Sequence, residues 1–391
     1  MAASERVPFS ATSASVNLDA LRALAAATVL LSHWRALLFV DYSELHAHKL
    51  LLAVPYIVSG AGHQAVIIFF VLSGYLIGSS VVRNVRRGRW DWREYVFQRL
   101  TRLWIVLIPA LLLCAVVDGV GIASHAAPLL YHGQVKNYVT PDVAAVRGVR
   151  EFFGNMFFLQ QTSTPTYGSD GPLWSLANEF WYYLMFPCAL IAIRRGARWW
   201  SRVLHGLALV LMLVLLSHAI VELFPAWLAG AALAFVDLPE IPRWLRPVLI
   251  CGYVPVFFFF AKAHFIPATL SDYLLTAATV PLVLCLLSYR SASGGSGWVR
   301  LARRSAGCSY TVYLVHVPFL TLAAALLVHD RRWQPGAGPF GMALGVLALT
   351  VIYAYAVASV TEFHTAELRN FARPRLAFLL RPVREGAKVA E

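Results

Sequence analysis

An all-α bundle of about ten membrane-spanning helices, with both chain ends cytoplasmic, is the fold class this sequence predicts, and three observations predict it. The chain is 59% hydrophobic and only 14% charged, whereas a soluble globular chain is about half apolar and about a quarter charged. Its apolar residues fall into runs of about 20, the length that crosses a bilayer as a helix. Arginines fill alternate connections between those runs, as they do in polytopic proteins.

The runs lie at about 18–40, 60–82, 99–120, 172–193, 202–220, 222–237, 246–263, 267–289, 306–328 and 338–361. The sixth is short. Before them, Met1 to Asn17 is polar and lacks the basic stretch, apolar core and cleavage site of a signal peptide, so residues 1–17 are expected to be a cytoplasmic tail. Residues 18–362 then form one membrane domain, and residues 363–391 a basic cytoplasmic tail.

With the N-terminus inside, cytoplasmic segments hold Arg6, the seven arginines from Arg83 to Arg102, Arg194, Arg195, Arg198, Arg202, Arg243, Arg246, Arg290, Arg300, Arg303 and Arg304. Lys49, Lys136, Arg147, Arg150, Lys262, Arg331 and Arg332 fall outside, and that imbalance sets the orientation in a plasma (inner) membrane. The net charge of +13 is therefore a topology and lipid-headgroup signal, not a nucleic-acid stripe. Cys114, Cys188, Cys251, Cys285 and Cys308 sit in or beside apolar runs without metal-ligand spacing, so no metal site is expected.

The external connection 121–171 exceeds the length of an ordinary loop. Its stretch from Glu151 to Leu159 is too apolar for disorder and reads as an interfacial or re-entrant piece covering the outer mouth.

Ionisable residues within a bilayer are functional candidates. Arg22 and His33 share the first run, eleven residues apart, on one helix face and about 16 Å apart along the axis. Arg22 lies near the inner side, where it snorkels or binds; His33 lies in the outer half. The fourth run descends from outside and places Glu179 about 10 Å below the outer surface, near the depth of His33. The two make either a base with its orienting partner or a structural contact between helices. Arg99 and Arg102 are one turn apart, a spacing suited to clamping phosphate with two guanidinium forks. His316 falls near the midplane of the ninth run. Glu362 falls at the level of Arg22 and Arg99, where an ion pair is expected.

From about Asn17 to Glu362 the chain resembles the acyltransferase-3 family of integral-membrane acyltransferases. The resemblance lies in Arg22 followed by His33, in Phe69-Phe70-Val71-Leu72-Ser73-Gly74-Tyr75-Leu76-Ile77, and in Arg99-Leu100-Thr101-Arg102. It continues in Pro172-Leu173-Trp174-Ser175-Leu176 with Glu179, and in Ser309-Tyr310-Thr311-Val312-Tyr313-Leu314-Val315-His316. The resemblance implies ten spans and transfer of an acyl group, usually acetyl from cytosolic acetyl-CoA, to a carbohydrate or other hydroxyl. It implies Arg22, Arg99 and Arg102 on the donor phosphates. His33 becomes the base toward the acceptor, oriented by Glu179, or a covalently acylated nucleophile. Ser73, Trp174, Asn178 and His316 are then candidate substrate contacts.

Some such proteins add an extracytoplasmic hydrolase-like domain. None is expected after the tenth run, so the acceptor site is expected from the helices and the 121–171 connection. The acceptor the resemblance implies is a cell-surface or exported glycan or glycolipid, with a small molecule such as a macrolide as the alternative. The rival readings are a transporter or flippase and a structural partner in polysaccharide export. The absence of an internal repeat or of paired broken helices weighs against a transporter.

Overall fold

The computed structural model describes residues 12–135, 142–237, 240–263, 265–289, 291 and 294–375. Arg6, Lys136, Arg290 and the tail beyond Arg375 therefore lie outside the described residues. In chain order the α-helices are α1 (Ser13–Leu38), α2 (Lys49–Val58), α3 (Gly62–Arg86), α4 (Trp92–Ala123), α5 (Pro128–Tyr131), α6 (Val149–Met156), α7 (Leu173–Ile193) and α8 (Trp199–Leu215). They continue as α9 (His218–Ala232), α10 (Leu245–Phe260), α11 (Ala268–Leu287), α12 (Gly297–Gly307), α13 (Ser309–Leu327), α14 (Ala337–Val360) and α15 (Thr365–Arg375).

Among the described residues, eight helical segments are long and apolar enough to cross a membrane: α1, α2 with α3, α4, α7, α9, α11, α13, and α14 with α15. The remaining two expected spans correspond to the shorter apolar helices α8 and α10. The result is a polytopic helical bundle. Leu204, Leu207, Leu211 and Val214 of α8, and Leu349, Ile352 and Tyr355 of α14, remain exposed. Such apolar faces are stable only with lipid as solvent.

Helix ends follow from local chemistry. The Thr12 hydroxyl accepts from the Ser15 amide at 3.3 Å to start α1, and the Asp91 carboxylate accepts from the Arg93 amide at 2.8 Å to start α4. Both satisfy amide donors that the first turn of a helix leaves open. At its other end α1 is stitched to the segment before α14: the Trp333 amide donates to the Leu38 carbonyl at 2.8 Å. There burial opposes the charge of Asp41, but hydrogen bonds and charge from Arg332, with Arg35, hold its carboxyl below the usual range.

Helix α3 is the axis, packed against α1, α7, α9 and α11. Its closest approach is to α9 and depends on two glycines. A Cβ at Gly74 would lie 2.0 Å from the Trp227 carbonyl oxygen, and one at Gly230 would lie 2.0 Å from the Val71 carbonyl oxygen. Membrane helices meet this closely only over small residues. The glycine of the second-span phrase is thus a packing residue.

The described residues of the 121–171 connection enter the bundle. Trp104, well inside α4, donates to the Met156 carbonyl at 2.9 Å, and Trp181 of α7 donates to the Phe158 carbonyl at 2.9 Å. Phe158 stacks on Phe180 at 4.1 Å. Asn155 and Gln160 are fully buried; their side-chain amides donate to the Pro165 and Leu173 carbonyls at 2.9 and 2.8 Å. Those bonds satisfy backbone that lipid would leave unpaired.

The described part of the segment expected as a basic cytoplasmic tail includes a helix that packs on the bundle. Helix α15 lies along α4, with Arg373 paired to Glu94 at 2.6 Å. Glu362 is also not the expected ion-pair partner. Its carboxylate accepts from the Thr311 amide and hydroxyl at 2.9 and 2.8 Å, capping the first turn of α13.

Gly74→Ala should remove the monodisperse peak of detergent-purified protein in size-exclusion chromatography, because a backbone oxygen occupies the space. Gly345→Ala, where a Cβ meets nothing within 4 Å, should leave that peak unchanged. An unchanged Gly74→Ala protein would contradict the packing.

Candidate active site

Call the end of the bundle that carries Arg22, Arg99 and Arg102 the arginine end. A cavity of about 140 Å³ opens there between α1, α3, α4, α7 and α13. Arg22 and Arg102 are on its wall, with Ser73, Glu179, Tyr183 and Tyr310, and Tyr313 and Ser175 line it further in. Arg22 donates to Asp19 at 3.2 Å and to the Ala306 carbonyl at 3.1 Å. Arg99 stands beside this chamber, over the rings of Tyr95 and Tyr183 at 5.4 and 5.9 Å. Among the described residues no carboxylate comes within 4.0 Å of Arg99 or Arg102.

Glu179 has two hydroxyl donors on one oxygen. Ser73 gives one at 2.8 Å, and Tyr183, one turn further along α7, gives the other. Trp227 donates in turn to Ser73 at 3.2 Å. Ser73 thereby links the α3–α9 seam to the cavity carboxylate.

One turn beyond Tyr313 along α13 lies His316, whose ring centroid is 6.2 Å from that of Tyr313. It is 0% exposed. Its Nδ1 lies 2.8 Å from the Val312 carbonyl oxygen, and its Nε2 lies 2.8 Å from Nδ1 of His33. The rings stack at 5.0 Å with 22° between planes.

These bonds fix both tautomers. A carbonyl can only accept, so Nδ1 of His316 carries the hydrogen, and in the neutral ring Nε2 is left as an acceptor. His33 must then donate through Nδ1–H, which makes its Nε2 the basic nitrogen. His33 is only half-buried while His316 is sealed behind it. The chain therefore runs from a backbone carbonyl through a fixed imidazole to one with accessible surface. That is the arrangement a general base or nucleophile needs: a reactive nitrogen oriented by a partner that cannot turn.

The nine residues singled out from the sequence thus separate into groups. His33 and His316 are together. Arg22, Arg102, Ser73 and Glu179 share the cavity wall. The Nδ1 of His33 is bonded to His316 instead of Glu179, so the orienting partner is an imidazole and not the carboxylate expected.

Asn178 is fully buried and bonded to Gln161, Tyr182 and the Ala219 carbonyl. Trp174 packs edge-on against Phe70 at 6.1 Å and lies parallel to His63 at 6.1 Å. His63, not marked out in the sequence, donates to both oxygens of the buried Asp272 at 2.9 and 3.0 Å. Tyr183 and Tyr310 were also unmarked, although the four-residue spacing of Glu179 and Tyr183 would have indicated the first. Near the α7 start Asp170 is fully buried; burial, then the nearby Asp118, pushes its carboxyl well above the usual range.

The bundle thus holds a bonded histidine pair whose inner member, His316, lies one turn from Tyr313 on the wall of a chamber that Arg22 and Arg102 also line. The comparisons specify the class. The acyltransferase domain family model matches residues 15–359, and the chain belongs to that family. It is similar to the O-acetyl transferase of Shigella phage Sf6, 24% identical over 347 residues, covering 88% of this chain and 84% of the relative. Acyltransferase MdmB of Streptomyces mycarofaciens is 26% identical over 80% of this chain and 83% of its own length. The peptidoglycan O-acetyltransferase OatA of Listeria monocytogenes is 28% identical over 68% of this chain and 46% of its own length. No solved structure matches. The protein is a multi-pass membrane acyltransferase.

His316→Ala removes the acceptor for His33 Nδ1–H, so kcat should fall by about 10²–10⁴-fold, the scale of general-base catalysis. His316→Gln offers a carbonyl oxygen in its place and should recover part of the loss. Full activity in folded His316→Ala would remove the orienting role.

Proposed function

We propose that this enzyme takes acetyl from acetyl-CoA at its arginine end and passes it to a hydroxyl of a cell-surface or exported glycan. The observation that carries this is the bonded series of Val312 carbonyl, His316 and His33, which leaves the His33 Nε2 lone pair basic. Arg22 and His33 are eleven residues apart on α1, about 16 Å along its axis. An extended pantetheine arm spans that distance, so phosphates held at the arginines can deliver their thioester to the histidine.

In the reaction the acceptor oxygen attacks the thioester carbonyl while Nε2 of His33 takes its proton. The C–S bond breaks, the imidazolium returns the proton to sulfur, and the ester and free CoA leave. His316 keeps accepting from Nδ1–H throughout. Glu179, held by Ser73 and Tyr183, is assigned to the donor chamber, where its charge faces Arg22. The arginine end is the cytoplasmic one in this reading, supported by the charge imbalance between connections. The enzyme then sits in the inner membrane with its opposite mouth toward the acceptor. The names of the phage and Listeria relatives support O-acetylation, and the latter supports a glycan hydroxyl.

The test is thiol release by purified enzyme in nanodiscs with acetyl-CoA and a soluble glycan acceptor. Wild type should release CoA in step with ester formation. His33→Ala should lose about 10²–10⁴-fold in kcat while still binding donor. Transfer at the normal rate by folded His33→Ala would sink the assignment, and wild type that moves acceptor without releasing CoA would favour a transporter.

A further inference from the structure

Helix α15 begins after residue 359, where the family match ends, yet it is part of the arginine end. It lies along the first turns of α4 and sets Arg369 over Thr101, with Nε 3.5 Å from the Thr101 hydroxyl. Thr101 stands between Arg99 and Arg102 on α4. The charge of Arg369 is close enough to both arginines for mutual repulsion, and Arg22 and Arg102 repel likewise.

The carboxylates nearby already have partners. Asp19 is bonded to Arg22, Glu362 to Thr311, and Glu94 to Arg373 and Gln98. Among the described residues none pairs with Arg99, Arg102 or Arg369 within 4.0 Å. The Nε of Arg99 is buried without a partner. A fold that gathers like charges and leaves a buried donor open has a polyanion to receive.

We infer that Arg369 is a further donor-binding residue: its guanidinium completes, with Arg99 and Arg102, a site for the phosphates of the acyl donor. Arg373 and Glu94 are the strut that holds the helix there. Three forks suit a ligand with several phosphates, since each binds a separate oxygen edge. This rests on the acyl-CoA reading above. A phospholipid headgroup offers the same phosphate chemistry, so the experiment must separate the two sources.

Initial rates are measured for wild type, Arg369→Ala, Arg369→Lys, Glu94→Gln and Arg375→Ala, with either acetyl-CoA or S-acetylpantetheine, which lacks every phosphate. Each variant is assayed in phosphatidylcholine nanodiscs with and without phosphatidylglycerol. Arg369→Ala should raise the KM for acetyl-CoA about five- to twentyfold, the scale of one lost charge-assisted bond, with little change in kcat. Lysine should recover part of this, and Glu94→Gln should give a smaller rise. S-Acetylpantetheine KM should not move in any variant, which separates lost phosphate contact from misfolding. Arg375, whose guanidinium lies on Phe371 3.5 Å from the ring centroid, serves as the control on the same helix.

An unchanged acetyl-CoA KM in Arg369→Ala would overturn the inference, as would an effect present only with phosphatidylglycerol. Wild type that uses neither thioester would instead mean that the acyl-CoA reading has failed.

Discussion

The hydrogen bond between His33 and His316 is the constraint on which the proposed chemistry depends. An imidazole in a membrane interior can act as a base only if one nitrogen keeps a lone pair pointed at the substrate. Here that choice is made by a backbone carbonyl two bonds away. Val312 belongs to the same helix as His316, so the orienting element is as rigid as α13 itself. A buried carboxylate would add a charge whose desolvation the bilayer makes expensive. A neutral imidazole orients His33 without that cost.

Much of the bundle can be understood as delivery to this point. Helix α1 carries Arg22 and His33 on one face, so in the proposed reaction a single rigid rod would set the distance between donor phosphates and reactive nitrogen. Helices α3 and α9 give up side chains at Gly74 and Gly230 to approach each other, and the adjacent Ser73 joins that seam to Glu179. The segment Glu151–Leu159 fills the space between α4 and α7 with aromatic rings and carbonyl acceptors. The cavity is what these close approaches leave between them.

The apolar runs, the co-facial Arg22 and His33, and the arginine pair on α4 were legible in the sequence. Lipid imposes long apolar stretches, and helical spacing fixes what shares a face. Contacts between helices were not legible. Depth alone paired Glu179 with His33, yet rotation about α7 turns the carboxylate to Ser73 and Tyr183. Glu362 has the right level for an arginine, but the open amides at the start of α13 took it first. His63 and Asp272 are 209 residues apart and stand in no phrase that would join them. The tail after Glu362 looked merely basic, because the strut that orders it, Arg373 on Glu94, comes from a helix far away in sequence.

Nitrogen-15 spectra of histidine-labelled enzyme in nanodiscs, assigned by His33→Gln and His316→Gln, read the hydrogen-bond chain directly. Both rings should be neutral at pH 7 with the hydrogen on Nδ1, and a scalar coupling should connect His33 Nδ1 to His316 Nε2. Hydrogen on Nε2 of His33, or no coupling between the two rings, would contradict the account.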